Sequence, residues 1–408
     1  MSEIKDKGIL RQLDALTSKL RRRQLVGARE SALETTLLMK YIVTHAKFNT
    51  IHDLIAIIKA AGRRLVEAQP KGEWHVRRIL RLIREEWAAS VKKPTEDDDQ
   101  GKDDEGETHT GQSTPTLLSP TAGVEARVLL TGAELSFKAT TADSQYSLSN
   151  FVLHGRPHRE AFDFASVYAT QASQSTKPTK SAQSIRPALI SAIEEVMDEL
   201  ETVLDNVSGT AKDHIHSDEI VLTLGMSRTI EAFLKKAALD RKFTTLVAEA
   251  APSLSGHQLA RSLASAGINT ILIPDSAVYA VMSRVNKVIL GAHAILANGG
   301  VYAAAGSILA AHAAQTHQTP VVFCAGQFKL SPLWNVYHTY GSLDFANPSH
   351  VLGFQEGQLM DQVDVLNPAY DYVPPELINV FITNDGDIPP ASMNRLVKET
   401  YDDEDYQL

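Results

Sequence analysis

The stretch KVILGAHAILANGGVYAAAGS, residues 287–307, decides how the rest of this chain is read. The apolar run Val288–Leu290 predicts a short buried strand. Asn298, Gly299 and Gly300 predict a tight turn, and the alanine-rich segment from Val301 to His317 predicts a helix. Strand, glycine turn and helix together make the βα unit of a parallel sheet. Glycines at such a turn can leave backbone amides open to an anion, or they can simply close a tight loop. The many alanines of 301–317 leave little side-chain bulk, which suits a helix packed closely on a sheet or on another helix.

Working outward from this unit, strands and helices alternate. EIVLTLG (219–225) precedes SRTIEAFLKKAALDRK, TTLVAEA precedes GHQLARSLASAG, and NTILIP precedes SAVYAVMSRV. PVVFCAG (320–326) follows as another strand. Near-continuous apolar strands with intervening helices predict an α/β fold, a Rossmann-like domain with a mostly parallel sheet. A long amphipathic helix from about Ile185 to Val207 leads into it, with a stripe from Leu189 to Leu204 wide enough for burial on a domain or another subunit.

Residues 1–91 read as an all-helical domain. Ile51, Leu54, Ile55 and Ile58 recur at helical spacing, as do Val76, Ile79, Leu80, Ile83 and Trp87. Arg77, Arg78, Arg81 and Arg84 line the other side of the second of these helices. The segment carries 18 Lys or Arg against 10 Asp or Glu. Such charges are ordinarily a solvated face, and a docking surface for an acidic partner is the sharper reading. Residues 92–185 are acidic and polar over much of their length (KKPTEDDDQGKDDEGETHTGQSTPT, QASQSTKPTKSAQS), which predicts a largely disordered connection. The remaining boundaries are 186–398 for the long helix plus α/β domain and 399–408 for an acidic tail.

Composition narrows the function classes. A net charge of -9 argues against nucleic acid as a partner. The single cysteine, Cys324, excludes a disulfide framework and fits a reducing compartment. Neither a run of about 18 apolar residues nor a signal peptide is evident, so the expectation is a cytosolic protein without a membrane contact.

Chemistry-bearing motifs are sparse. There is no GxxxxGK[ST] sequence and no GxGxxG after a strand. Ligands of open α/β sheets sit at strand C-terminal ends, which makes Gly225–Thr229, Pro274–Ser276 and Asn298–Gly300 the candidates. Arg228 could pair with a phosphate, while Ser227 reads better as a helix N-cap. His214 and His216 could share a strand face as metal ligands, but the acids around them are equally ordinary at a strand entrance. Cys324, flanked by apolar residues, reads as a small buried hydrophobe.

Several separated motifs, in order, resemble a known family. SRVNKVILGAHAILANGGVYAAAGSILAAHAA, PVVFCAGQFKLSP and YDYVPPELINVFITN are similar to the family that joins the alpha, beta and delta subunits of eukaryotic translation initiation factor 2B to isomerases of methylthioribose 1-phosphate and ribose 1,5-bisphosphate. AGRRLVEAQPKGEWHVRRILRLIREEW and DHIHSDEIVLTLGMSRTIEAFLKKA point to the beta-subunit branch. The match covers most of the chain outside 92–185. In the isomerases the positions matching Gly225 and His293 carry a catalytic cysteine and aspartate, and the motif matching Gly299-Gly300 is usually glycine-aspartate. A glycine has no nucleophile and a histidine does not replace a carboxylate in an unchanged pocket. The resemblance therefore implies a non-catalytic regulatory subunit, with no cofactor and no metal, and Gly225, Ser227, Arg228, His293, Asn298, Gly299 and Gly300 as a vestigial pocket. Its implied partners are the alpha, gamma, delta and epsilon subunits of the same exchange factor, together with initiation factor 2, above all its alpha subunit. GDP–GTP exchange would then belong to the gamma and epsilon subunits, and this chain would help sense phosphorylation of factor 2. The alternatives are a sugar-phosphate isomerase and a sugar-phosphate or nucleotide sensor.

Overall fold

The computed structural model describes residues 6–25, 27–68, 74–92, 182–334, 344–360, 362–402 and 404. The expectation of disorder for 92–185 falls, apart from the ends of that range, outside the described residues.

Four helices open the chain: α1 (Lys7–Arg21), α2 (Ala28–His45), α3 (Ile51–Ala68) and α4 (Trp74–Lys92). Their apolar stripes close on one another, so that Leu13, Met39, Ile42, Leu54, Ile58, Leu80 and Ile83 are buried. The long helix α5 (Arg186–Gly209) follows a 3-10 turn at Ala182–Ile185. Leu189 and Ile193, in its first half, join the core of the four helices. Val196 near its middle and Leu200, Val203 and Val207 in its second half join the core of the sheet, as do Ala28 and Ala32 of α2. The stripe is thus covered by the chain's own two cores.

The α/β region contains α6 (Ala211–His214), β1 (Ile220–Leu224), α7 (Arg228–Ala237), β2 (Thr244–Ala248), α8 (Ser255–Ser265), β3 (Asn269–Ile273) and α9 (Val278–Met282). After these come β4 (Lys287–Leu296), β5 (Val301–Ala304), α10 (Ser307–His317), β6 (Val321–Cys324) and β7 (Leu330–Ser331). The chain then runs through α11 (Gly357–Met360), β8 (Tyr370–Val373), β9 (Val380–Thr383), β10 (Gly386–Ile388) and α12 (Met393–Thr400). The sheet order is β10-β9-β6-β4-β1-β2-β3, parallel throughout except for the β10–β9 hairpin. No described helix is long and apolar enough to cross a membrane.

One expectation fails at the stretch that governed the sequence reading. Residues 301–304 are a strand, and the helix begins only at Ser307. β4 is ten residues long, not three. Its first half lies between β1 and β6; its second half turns back on β5 and also pairs with β7. β5 in turn pairs along its whole length with β8, Val301 with Val373 through Ala304 with Tyr370. Ladder pairing with a strand some 70 residues downstream overrides the helical preference of the alanines. The Asn298–Gly300 turn is therefore the tip of a β-hairpin, not a sheet-to-helix joint. The actual joint is Ala305–Gly306.

Candidate functional site

The C-terminal ends of β1 and β4, with the start of α10, form the place where an open α/β sheet would hold a ligand. Gly225, directly after β1, sits at φ +63°, the left-handed region that strains residues bearing a Cβ. Its N–H donates to Ala248 O at 3.1 Å. A Cβ there would also meet Ser255 Oγ at 3.2 Å and Ala250 Cβ at 3.3 Å. Ser227 caps α7, its Oγ accepting from Ile230 N at 3.5 Å, and a side chain on Gly291 of β4 would run into it. Arg228, largely exposed, pairs with Glu30 of α2 at 2.7 Å, so the cation considered for a phosphate is turned toward the helical layer.

His293 lies between Ala292 and Ala294, where the β4–β5 register shifts. Its ring stacks on Tyr370 at 4.2 Å between centroids. Burial, helped by the Asp344 carboxylate and opposed by Arg23, pushes the Tyr370 phenol up to about 12. Beside this bulge, the buried Lys329 donates through Nζ to Ala292 O at 2.7 Å. Burial lowers its ammonium to about 8.

The double glycine is set apart from these groups at the hairpin tip. Gly299 N donates to Leu296 O at 2.9 Å, and Gly300 N donates to Asn298 Oδ1 at 3.0 Å. Asn298 Nδ2 donates to the Tyr372 hydroxyl at 2.8 Å. Both glycine amides are thus engaged within the chain. Cβ atoms at Gly299 and Gly300 would lie 2.5 Å from Pro390 O and from the Tyr372 ring, respectively. These glycines serve close packing.

The sequence reading passed over the residue that takes the anion position at the true joint. Asp371 of β8 accepts from Gly306 N at 2.6 Å and from Ile308 N at 3.3 Å, at the first turn of α10. Burial raises its carboxyl above the ordinary value, and those two amide bonds pull it back. The only hint was an acid within the apolar YDYV run, 65 residues from its partner. Asp275 does the same after β3, accepting from Ala250 N at 2.9 Å and Ala251 N at 2.6 Å. Pro274–Ser276 accordingly holds a carboxylate over the loop after β2.

Elsewhere, His214 ends the short helix α6 and lies 3.1 Å from Asp387, while His216 follows beyond it. The two histidines therefore do not share a strand face. Among the described residues no group of three His, Cys, Asp or Glu is placed to hold a metal. Cys324 is fully buried in β6, and burial pushes its thiol up, away from the thiolate form.

The basic helix α4 resolves into separate roles. Arg77 is only 3% exposed, because it stands three residues before the core residue Leu80 and so flanks the apolar stripe. Arg78 pairs with Glu199 of α5, and Arg81 with Glu85 at 2.6 Å. Arg84 reaches Glu404 at 2.7 Å.

Comparison with known proteins agrees with this architecture. The model of the initiation factor 2 subunit family matches residues 24–390. The chain is 37% identical to translation initiation factor eIF2B subunit beta of Schizosaccharomyces pombe, covering 96% of each chain, and 36% identical to that of Dictyostelium discoideum over 95% and 94%. Ribose 1,5-bisphosphate isomerase of Pyrococcus furiosus is 30% identical over 54% of this chain and 68% of its own. The crystal structure of eIF2B beta from Chaetomium thermophilum shares the fold, with a TM-score of 0.63 at 24% identity over 97% and 94% of the two chains. Its tetrameric eIF2B-beta2-delta2 complex aligns equally, at 0.63 and 22% over 96% and 95%. A family model spanning most of the sequence, and relatives above 30% identity along nearly all of it, place this chain in the initiation factor 2 subunit family.

Proposed function

We propose that this protein is a non-catalytic regulatory subunit of the complex that exchanges GDP for GTP on translation initiation factor 2, working in the cytosol. The observation that carries the reading is Gly225. The sugar-phosphate isomerases of the family are expected to place their nucleophile there, and this chain has a left-handed glycine with no room to spare around a Cβ. His293, matched to the catalytic aspartate, is stacked on Tyr370. With Asp371 bound to the amides of α10, Gly225, Ser227 and His293 are read as what remains of the pocket, while Arg228 is paired with Glu30 and Asn298–Gly300 is a hairpin tip outside it.

A delta-type subunit is the first expected partner, since the beta relative from Chaetomium thermophilum assembles with delta. Alpha, gamma and epsilon subunits complete the proposed complex. Factor 2, through its alpha subunit, is the proposed substrate whose phosphorylation the complex senses, since a phosphate adds nearly two charges that shift a docking equilibrium. The face of α4 that carries Arg81 and Arg84 is the proposed contact for a protein partner.

The test is to purify the tagged chain from cytosol at moderate salt. The expected outcome is recovery of four other exchange-factor subunits, and faster GDP release from factor 2 by the complete complex than by one lacking this chain. Recovery of the chain alone, or turnover of ribose 1,5-bisphosphate by it, would overturn the proposal.

A further inference from the structure

Tyr401, Asp402 and Glu404, which follow α12, lie against the rest of the protein. Tyr401 is buried and its hydroxyl donates to Leu330 O at 2.6 Å, which fixes where the segment leaves the sheet. Four acids follow in sequence, Asp402, Asp403, Glu404 and Asp405. The described ones meet the basic side of α3 and α4. Arg84 lies 2.7 Å from Glu404 and 4.0 Å from Asp402. Lys59 of α3 donates to Glu404 O at 3.1 Å, and Arg81 to Lys398 O at 3.4 Å. Alongside, a cleft lined by Arg78, Arg81, Leu82, Glu85, Gln327, Glu399 and Thr400 separates α4 from α12, with Glu85 already paired to Arg81.

Two properties distinguish this contact from ordinary surface pairing. The basic partner is the sheltered one: Arg84 is 27% exposed, whereas Asp402 and Glu404 are 42% and 75% exposed. The platform is also independent of its occupant, because Lys59, Arg81 and Arg84 stand on helices held by the buried core of α1–α4. Exposed ion pairs of this kind are individually weak and are screened by salt, so the acidic segment can leave without disturbing what it sits on.

We infer that the α3–α4 face bearing Lys59, Arg81 and Arg84 is a docking site for an acidic polypeptide segment, occupied in cis by Asp402 and Glu404. The tethered segment has the advantage of effective concentration, and a partner in trans must outcompete it. This deepens the proposed protein contact of α4 without depending on nucleotide exchange: the peptide experiment below reports on the face alone, whereas co-purification reports on the complex.

The probe is a fluorescein-labelled peptide of sequence TYDDEDYQ, titrated with full-length protein and read by fluorescence anisotropy. Three proteins are compared: the native chain; a variant with Asp402→Asn, Asp403→Asn, Glu404→Gln and Asp405→Asn; and that variant with Lys59→Ala and Arg84→Ala added. Tyr401 is kept throughout, and thermal melting verifies that each protein is folded. The neutralised variant should bind the peptide about tenfold more tightly than the native chain, as expected if the cis segment covers the site about nine-tenths of the time. Removing Lys59 and Arg84 should abolish that gain, and raising the salt to a few hundred millimolar should weaken it. Equal affinity for the native and neutralised chains, binding indifferent to Lys59 and Arg84, or no binding to any of the three would overturn the inference.

Discussion

The two turns that flank β5 contain glycine for different reasons, and the difference explains where a ligand could and could not sit. At Asn298–Gly300 the chain reverses between β4 and β5, the amides bond internally, and Pro390 and Tyr372 fill the space where side chains would be. At Ala305–Gly306 the chain passes from β5 into α10, and the first amides of that helix do point toward an anion, the carboxylate of Asp371. Gly306 sits at φ +98°, where a residue with a Cβ is strained, and a Cβ there would also meet Leu224 Cδ1 at 2.9 Å. One turn serves packing and the other is an anion site filled from within. A glycine pair in sequence therefore does not identify the helix start that can bind charge. The strand that comes next does.

Substitutions at three positions sharpen that contrast. Gly299→Ala should cost the most, about 3 kcal/mol, since it combines left-handed strain with a contact on the Pro390 carbonyl that backbone cannot easily relieve. Urea unfolding measures it, and a loss below about 1 kcal/mol would mean that the hairpin tip yields more readily than its contacts imply. Asp371→Ala comes next at about 2 kcal/mol, because it strips the acceptor from two partly buried amides.

The same residue carries a pH signature. Burial raises the folded-state carboxyl above 3.8, so the folded protein holds its proton more tightly than the unfolded chain does. That contribution to stability is present at low pH and is lost as pH rises through the shifted range. Asp371→Asn should flatten this decline, measured as unfolding free energy against pH. An unchanged profile would assign the pH dependence to other groups. The smallest effect belongs to Asn298→Ala, about 1 kcal/mol, which opens the hairpin by removing one acceptor and one donor while leaving the glycines in place.

These regions also show what the sequence could reveal. The βα alternation from β1 to β3 was legible because each strand is a short apolar run bounded by turn residues, and each helix carries its own stripe. The cap at Ser227 and the burial of Cys324 were legible for the same local reasons. β5 was not, since VYAA is a strand only by virtue of Leu296-side pairing with β4 and distant pairing with β8. Arg228 and Asp371 were opaque in a similar way. Their partners, Glu30 and the α10 amides, are close in space and remote in sequence. Among the four arginines of α4, only three-dimensional packing separates the buried Arg77 from the half-buried Arg84. Gly225 stood out in the sequence only through the family resemblance; its left-handed backbone, which disfavours any side chain there, was not legible.

Helix α5 carries a mechanical consequence. Its 24 residues make a rod about 36 Å long, with one end set in the helical core and the other in the sheet core. A rod clamped at both ends transmits force as a lever. A protein that grips the α1–α4 bundle therefore pulls on the strands through α5, and the two cores should melt as one cooperative unit, in a single transition.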